Sequence, residues 1–402
     1  MRFCLAVPTY WTFAGGQGPS EVFFDHPTPV DTQGTLRRLL DSLVPLVQSP
    51  DTIVVVAAAT SASLAAQVEA RLQEIVAAVR SDLPLRFFSC AHLASLQDFC
   101  QRRGRPEFCP LLALQGYGAI RNLTLVLANL LGADVLVSLD DDEIITDPLF
   151  LKKIGADIAL LGRDQPRFGL AGLYESPEGS ILAAEPRGDW VKFWPKMRWL
   201  NEACAALAGA TAPLQPTPLA LGGNMAIPAS LYGFLPFDPA LPRGEDTDYV
   251  LNARLFGVPF YLDAQLRVVH APPAKPHPVW LRLRQDLQRF SYTRQKLLAQ
   301  EQAGIAAPVR PADFFPYPGR FLTADLEIMA YRAHVALARE YLADGEVAAA
   351  QETLKNLLIL ERPPSATQVL SAYLEVVSRW QRLQGWFAQP AIRQAALEAI
   401  WG

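Results

Sequence analysis

The stretch Val135–Ile145, VLVSLDDDEII, decides how this chain is read. Its first five residues, mostly apolar, have the pattern of a strand buried on both faces of a parallel sheet. Three aspartates and a glutamate, Asp140 to Glu143, stand at its carboxyl end. Open α/β sheets bind ligands outside the carboxyl ends of their strands. Like charges crowded there repel one another, so a cationic partner must offset them. A divalent ion does this, and carboxylate oxygens suit Mg²⁺ or Mn²⁺, which in turn grip phosphate. Asp140 and Asp142 form a D-x-D pair. The plainer alternative is an acidic loop capping the next helix, a place Asp favours.

Working outward, strands and helices alternate on both sides of this stretch. Phe3–Val7 reads as a short strand ended by Pro8. Residues 11–34 are rich in Gly, Pro and Thr and form a loop long enough to be functional. Thr35–Val47 and Ser63–Val79 repeat apolar residues every three or four positions and read as helices. Thr52–Ala58 and Pro84–Ser89 read as strands, and His92–Arg103 and Ile120–Leu131 as helices. The alternation predicts a mostly parallel sheet with crossover helices. Further on, Phe168–Tyr174, Trp190–Phe193, Phe260–Leu262 and Leu266–His270 read as strands. Met197–Ala208 and Arg243–Phe256 read as helices. The Pro-rich run Ala271–Pro278 marks a boundary. Beyond it, Val279–Glu301, Ala324–Leu342, Val347–Leu360, Ala366–Leu383 and Gln389–Ile400 all read as helices. The chain thus divides into an α/β domain over 1–275 and an all-α region over 276–402.

Bulk properties exclude several classes. Among 402 residues, 36 basic and 40 acidic side chains leave a net charge of −4, which gives no general footprint for nucleic acid. The start MRFCLAVPTYW lacks the basic and apolar regions of a signal peptide. No apolar run reaches the roughly 20 residues needed to span a bilayer. The five cysteines, Cys4, Cys90, Cys100, Cys109 and Cys204, have neither disulfide-framework nor zinc-site spacing. These features together read as a cytoplasmic chain with reduced thiols. Trp280, Arg282, Arg284, Arg289, Phe290, Tyr292 and Arg294 make one helix basic and aromatic. It reads as a solvated face packed on the first domain, with an anionic acceptor or a membrane surface as the alternatives.

Four segments taken in order carry a more specific signal. They are Pro8–Thr9–Tyr10 after the first strand, and Gly116–Asn122 opening a helix. Next come Asp140–Asp142, and last Gly222–Gly223–Asn224 followed by Arg243–Asp248 and His270. In this order they resemble the GT-A glycosyltransferases, in particular the family 2-like group, over roughly residues 1–275. The resemblance implies a GT-A α/β fold and transfer of a sugar from a nucleotide-diphosphate donor, of UDP or GDP type, to an acceptor hydroxyl. It implies that Pro8, Thr9 and Tyr10 line the base pocket, and that Arg121 lies near the phosphates. Asp140 and Asp141 would contact the donor. Asp142, with Asp140 and His270, would hold Mg²⁺ or Mn²⁺, and Gly222, Gly223 and Asn224 would form the acceptor-side turn.

Glu245 and Asp246 match the family's Glu–Asp pair. Asp246 would take the proton from the acceptor hydroxyl as it attacks, giving inversion. A helix N-terminus favours a carboxylate there, and a base must first be within reach of its proton. Each of these residues also has a plainer reading: a strand end, a surface ion pair, a helix cap or a structural histidine. One departure stands out: the second strand ends in Ala57–Ala58–Ala59–Thr60, without the usual carboxylate. Thr60 or Ser61 is left to take its place. Two other functions stay open. One is a retaining GT-A enzyme making a sugar–glycerate type solute, and the other is a non-catalytic nucleotide-sugar-binding or scaffold protein. The acceptor and the oligomeric state are not specified by the sequence.

Overall fold

The computed structural model describes residues 1–402 except 17, 80–83, 213, 275–276, 301–304 and 306–307. Among the described residues, ten strands make one mixed sheet. They are β1 (Phe3–Thr12), β2 (Thr28–Pro29), β3 (Thr52–Ala59), β4 (Leu85–Phe88) and β5 (Val135–Ser138). The rest are β6 (Glu143–Ile144), β7 (Gly169–Glu175), β8 (Leu214–Pro216), β9 (Met225–Pro228) and β10 (Phe260–His270). The order is β4-β3-β1-β5-β9-β7-β10-β6, with β2 added to β1 and β8 to β10. β1 is parallel to β2, β3 and β5, as β3 is to β4 and β7 to β10. β9 runs antiparallel between β5 and β7.

Period-two alternation sends successive residues to opposite faces. Phe3, Leu5 and Val7 of β1 and Ile53, Val55 and Ala57 of β3 enter one core. Cys4 and Ala6 with Val54, Val56 and Ala58 enter the other. The first core is closed by α1 (Leu36–Leu43), α2 (Ala65–Ala77) and α5 (Phe150–Leu161). The second is closed by α3 (Cys90–Arg102), α4 (Tyr117–Leu130), α6 (Lys196–Ala208), α7 (Ala229–Tyr232) and α8 (Glu245–Leu255). The C-terminal helices belong to that same core. They are α9 (Val279–Ala299), α10 (Leu326–Ala343), α12 (Leu358–Glu361), α13 (Ala366–Phe387) and α14 (Pro390–Trp401), with α11 (Val347–Lys355) between α10 and α12 outside that core. Trp380 Nε1 donates to Tyr232 O, and Trp401 Nε1 to Phe87 O. The α/β architecture with a helical C-terminal region is therefore as the sequence leads one to expect. Among the described residues, no helix is long and apolar enough to cross a membrane.

Several element expectations are corrected. β1 does not stop at Pro8 but continues to Thr12. The carbonyl of Ala6 accepts from Leu139 N on the β5 side, and β5 pairs no further than Ala6. Pro8 faces that same vacated side, so its missing N–H costs no ladder bond. Trp190–Phe193 is not a strand. Asp189–Lys192 is a 3₁₀ turn, whose first N–H groups are taken by Glu340 of α10. The two strands expected over 260–270 are one strand with an irregularity between Leu262 and Arg267. The helix expected over Val347–Leu360 is broken in two. The expected helix end at Glu301 and the division at 275/276 lie outside the described residues.

Candidate active site

The acidic segment follows β5 directly, and β6 then pairs antiparallel with the end of β10. That pairing sets His270 opposite Glu143 and lets Ala271 N donate to Asp142 O at 3.0 Å. It is the backbone reason that His270 arrives beside Asp142, with its Nε2 at 3.5 Å from Asp142 Oδ2. The nearer partner of the same oxygen is His26 Nε2, at 2.8 Å, from the long first loop. Burial pushes the Asp142 carboxyl up, but the two imidazoles hold it well below the usual carboxylate range. Burial likewise works against protonation of His26, and Asp142 outweighs it and raises the imidazole.

Asp140 is engaged differently. Its Oδ1 accepts from Arg121 Nη2 at 2.5 Å, and its Oδ2 from Tyr174 Oη at 3.1 Å. Asp141 accepts from Thr9 Oγ1 at 2.6 Å, and burial beside Asp142 pushes it up to about 7. Glu143 is fully buried, and burial with the charges of Asp140 and Asp142 keeps its carboxyl well above the usual range. Of this acidic run, Asp142 Oδ1 and Glu143 Oε1 are buried without a hydrogen-bond partner.

Arg121 is the hub, at 3% exposure. Besides Asp140 it donates from Nη1 to Ser138 Oγ at 2.7 Å and from Nε to Glu245 Oε1 at 3.3 Å. Burial lowers its affinity for the proton, but Asp140 and Glu245 more than restore it. It thus ties the end of β5 to the start of α8. Burial and the neighbouring Asp246 push Glu245 up to about 7, against the pull of Arg121. Asp246 is only half-buried, and its Oδ2 accepts from Gly222 N at 3.1 Å. α8 starts from Gly244 in the left-handed region (φ 71°), where any Cβ would overlap Arg289.

The Gly222–Gly223 turn lies against this cluster. A Cβ on Gly223 would overlap Glu143 Oε1 and stand 2.8 Å from Asp140 Oδ2, so the close approach requires glycine. Gly223 N donates to Tyr174 Oη at 2.7 Å. Asn224 is buried, and its amide is used to hold β7 and β10 through Leu173 O and Leu266 O at 3.0 Å each.

On the far side, Pro8 and Thr9 are buried, and Tyr10 packs on Phe24 (4.4 Å) and Tyr117 (5.2 Å). Thr60 Oγ1 is spent on Thr12 Oγ1 at 3.1 Å. Ser61 Oγ donates to Glu21 Oε1 at 2.8 Å, so a loop carboxylate stands at the end of β3. A cavity of about 720 Å³ adjoins, lined by Thr12, Glu21, Phe24, His26, Thr60 and His277 among others.

The structure therefore gathers Arg121, Asp140, Asp141, Asp142, His270, Gly222, Gly223, Glu245 and Asp246 at one end of the sheet. Sequence reasoning missed His26, Glu21 and Tyr174. The only signal for the first two was the unusual length of their loop. As the side chains stand, no three His, Cys, Asp or Glu residues among the described ones share a cation position. The donor set nonetheless suits a divalent ion. Carboxylate and imidazole converge, and Asp142 Oδ1 has a vacant lone pair.

No family model matches the chain, and no curated protein matches it in sequence. Among solved structures it is similar to a mannosyltransferase, PcManGT from Pyrobaculum calidifontis, determined with GDP-Man and Mn²⁺. The identity is 14% and the TM-score 0.45, over 94% of this chain and 86% of that one. A mycobacterial protein gives 14% identity and 0.38 over 76% of each chain. S. aureus TarS gives 15% and 0.39 over 87% of this chain and 55% of that one. Likenesses at this level carry no argument about activity, which rests on the site.

Proposed function

We propose that this protein is a metal-dependent, inverting glycosyltransferase. It would move a sugar from a UDP- or GDP-type donor to an acceptor hydroxyl, through a GT-A catalytic domain over 1–275 followed by a helical region over 276–402. The observation that carries the reading is the convergence of the D-x-D segment and the Glu245–Asp246 pair on Arg121. Two acid groups of different environment at one site are what proton transfer and charge stabilisation need. Glu245 is buried and raised, whereas Asp246 is half-buried, with one backbone N–H on each oxygen, from Gly222 and from Thr247. In the reaction, the acceptor oxygen bonds to the anomeric carbon and its proton passes to the Asp246 carboxylate. The nucleoside diphosphate leaves with the electron pair of the broken C–O bond. Asp142, Asp140 and His270 would hold Mg²⁺ or Mn²⁺, which when bound offsets the charge of the leaving diphosphate. Arg121 holds the two carboxylate segments in register, and Gly222 and Gly223 let the turn pack against Arg121, Glu143 and Asp140.

The test is a thermal-melt panel of UDP, GDP, TDP and CDP sugars with and without Mn²⁺. Binding to the folded state raises the melting temperature. One nucleotide whose shift needs metal, and is lost in Asp142→Ala, would support the reading. The anomeric configuration of the product then separates inversion from retention. No shift with any donor would favour a scaffold protein.

A further inference from the structure

We infer that His26, from the loop between β1 and α1, is a direct ligand of the divalent cation. With Asp142 and His270 it would make a face of two imidazoles and one carboxylate. The inference rests on the metal dependence proposed above and deepens it.

Both imidazoles present Nε2 to the same oxygen, Asp142 Oδ2, at 2.8 Å from His26 and 3.5 Å from His270. A cation with bonds of about 2.1 Å at right angles separates adjacent ligand atoms by about 3.0 Å. The two spacings bracket that value. As they stand the three groups do not share a cation position, so coordination asks both imidazoles to turn from Asp142 Oδ2 toward the ion. Asp142 is 1% exposed, and its other oxygen has no hydrogen-bond partner, so the carboxylate is not saturated by the protein. Asp140 is a poorer donor, because each of its oxygens already accepts a hydrogen bond, from Arg121 and from Tyr174.

The segment that carries His26 is pinned, while the ring's Nδ1 is buried without a hydrogen-bond partner, and His270 is fixed by strand pairing. Next to His26, Phe24 is fully buried between Tyr10 and Tyr117, at centroid distances of 4.4 and 5.4 Å. Asp25 N donates to Tyr117 Oη at 2.6 Å, and Asp25 Oδ2 accepts from Arg243 Nη2 at 2.5 Å. His270 is set by the β6–β10 pairing and stacks on Tyr174 at 4.5 Å. Preorganised ligands bind with less ordering cost. Two imidazoles also make the site selective, since nitrogen donors suit Mn²⁺ better than Mg²⁺.

The experiment is Mn²⁺ titration of the full-length chain by electron paramagnetic resonance without donor, with nitrogen couplings read by electron spin-echo modulation. The parent should show two imidazole couplings. His26→Ala should bind Mn²⁺ at least about tenfold more weakly and show one coupling. His26→Gln keeps a hydrogen-bond donor toward Asp142 but is a weak ligand, so it should behave like His26→Ala. Three results would overturn the inference: no Mn²⁺ binding by the parent, unchanged or tighter binding by His26→Ala, or full retention by His26→Gln. Tighter binding would mean that His26 competes with the cation. Two couplings without any nucleotide-dependent melting shift would leave this site standing and remove the glycosyltransferase reading.

Discussion

Arg121 Nε donates to Glu245 Oε1 at 3.3 Å across 124 positions of sequence. The same guanidinium reaches Asp140, so a single buried cation compensates carboxylates from two separate segments. Removing one member of such a set leaves buried charge without a partner, which costs about 3–5 kcal/mol. Arg121→Met should therefore lower the unfolding free energy by that amount in urea titration. Arg121→Lys should recover only part, because an ammonium cannot fork to three acceptors in fixed directions. A loss below about 1 kcal/mol would show that the bridge does not hold the site together.

Asp246 is the half-buried member of the Glu–Asp pair, and Gly222 N steadies one of its oxygens. If it accepts the acceptor's proton, Asp246→Asn should cut turnover by about 10² to 10⁴-fold. The melting temperature and donor affinity should stay near those of the parent. Steady-state kinetics beside a donor-binding titration separates the two effects. A variant retaining more than a tenth of parental turnover would exclude Asp246 as the base.

How much of this was legible beforehand depended on where each residue sits. Asp140, Asp142, Glu245 and Asp246 lie where a periodic element begins or ends, and pattern marks such places. His270 closes a strand and could be placed the same way. His26 and Glu21 lie in residues 11–34, which have no periodicity, and no local rule predicts where such a loop settles. Tyr174 is the last residue but one of β7 and differs from a core tyrosine only in where its hydroxyl goes, Asp140 and Gly223. Asn224 shows the converse. A motif position that reads as substrate contact has its amide committed to two strand carbonyls. The D-x-D segment is a uniform run of acids in the sequence, and tertiary partners divide it. Thr9 takes Asp141, Arg121 takes Asp140, and two histidines take Asp142.

Away from the site, Asp157 on α5 faces Asp263 on β10. Burial and then the charge of Asp263 push its carboxyl up to about 7. A raised acid keeps its proton in the folded state over a range where the unfolded chain has lost it. The contribution of Asp157 to stability therefore falls as pH rises from about 4 to about 7, and is flat above that. Asp157→Asn removes the titration. It should match the parent at pH 4 and be more stable at pH 8, as measured by denaturant midpoints at the two values. A gap that is the same at both would mean that Asp157 ionises in the folded protein as freely as in the unfolded one.

Lys296 of α9 is fully buried, with Nζ 2.7 Å from Asp238 Oδ2 and 2.7 Å from Asp248 Oδ2. Burial disfavours its charge, but the two carboxylates keep it protonated. Through it, the helical region is bound to the helix that carries Glu245 and Asp246. Lys296→Met would leave two buried carboxylates facing a thioether, at a cost of about 3–5 kcal/mol. If the helices share one cooperative unit with the sheet, as their common core suggests, the variant should unfold in one transition at lower denaturant. Near-ultraviolet circular dichroism, which reports the packed aromatic side chains of the sheet and of the C-terminal helices alike, and far-ultraviolet signal should then move together. Two separated transitions would mean that the C-terminal helices are a unit of their own, and that Lys296 serves only to dock it.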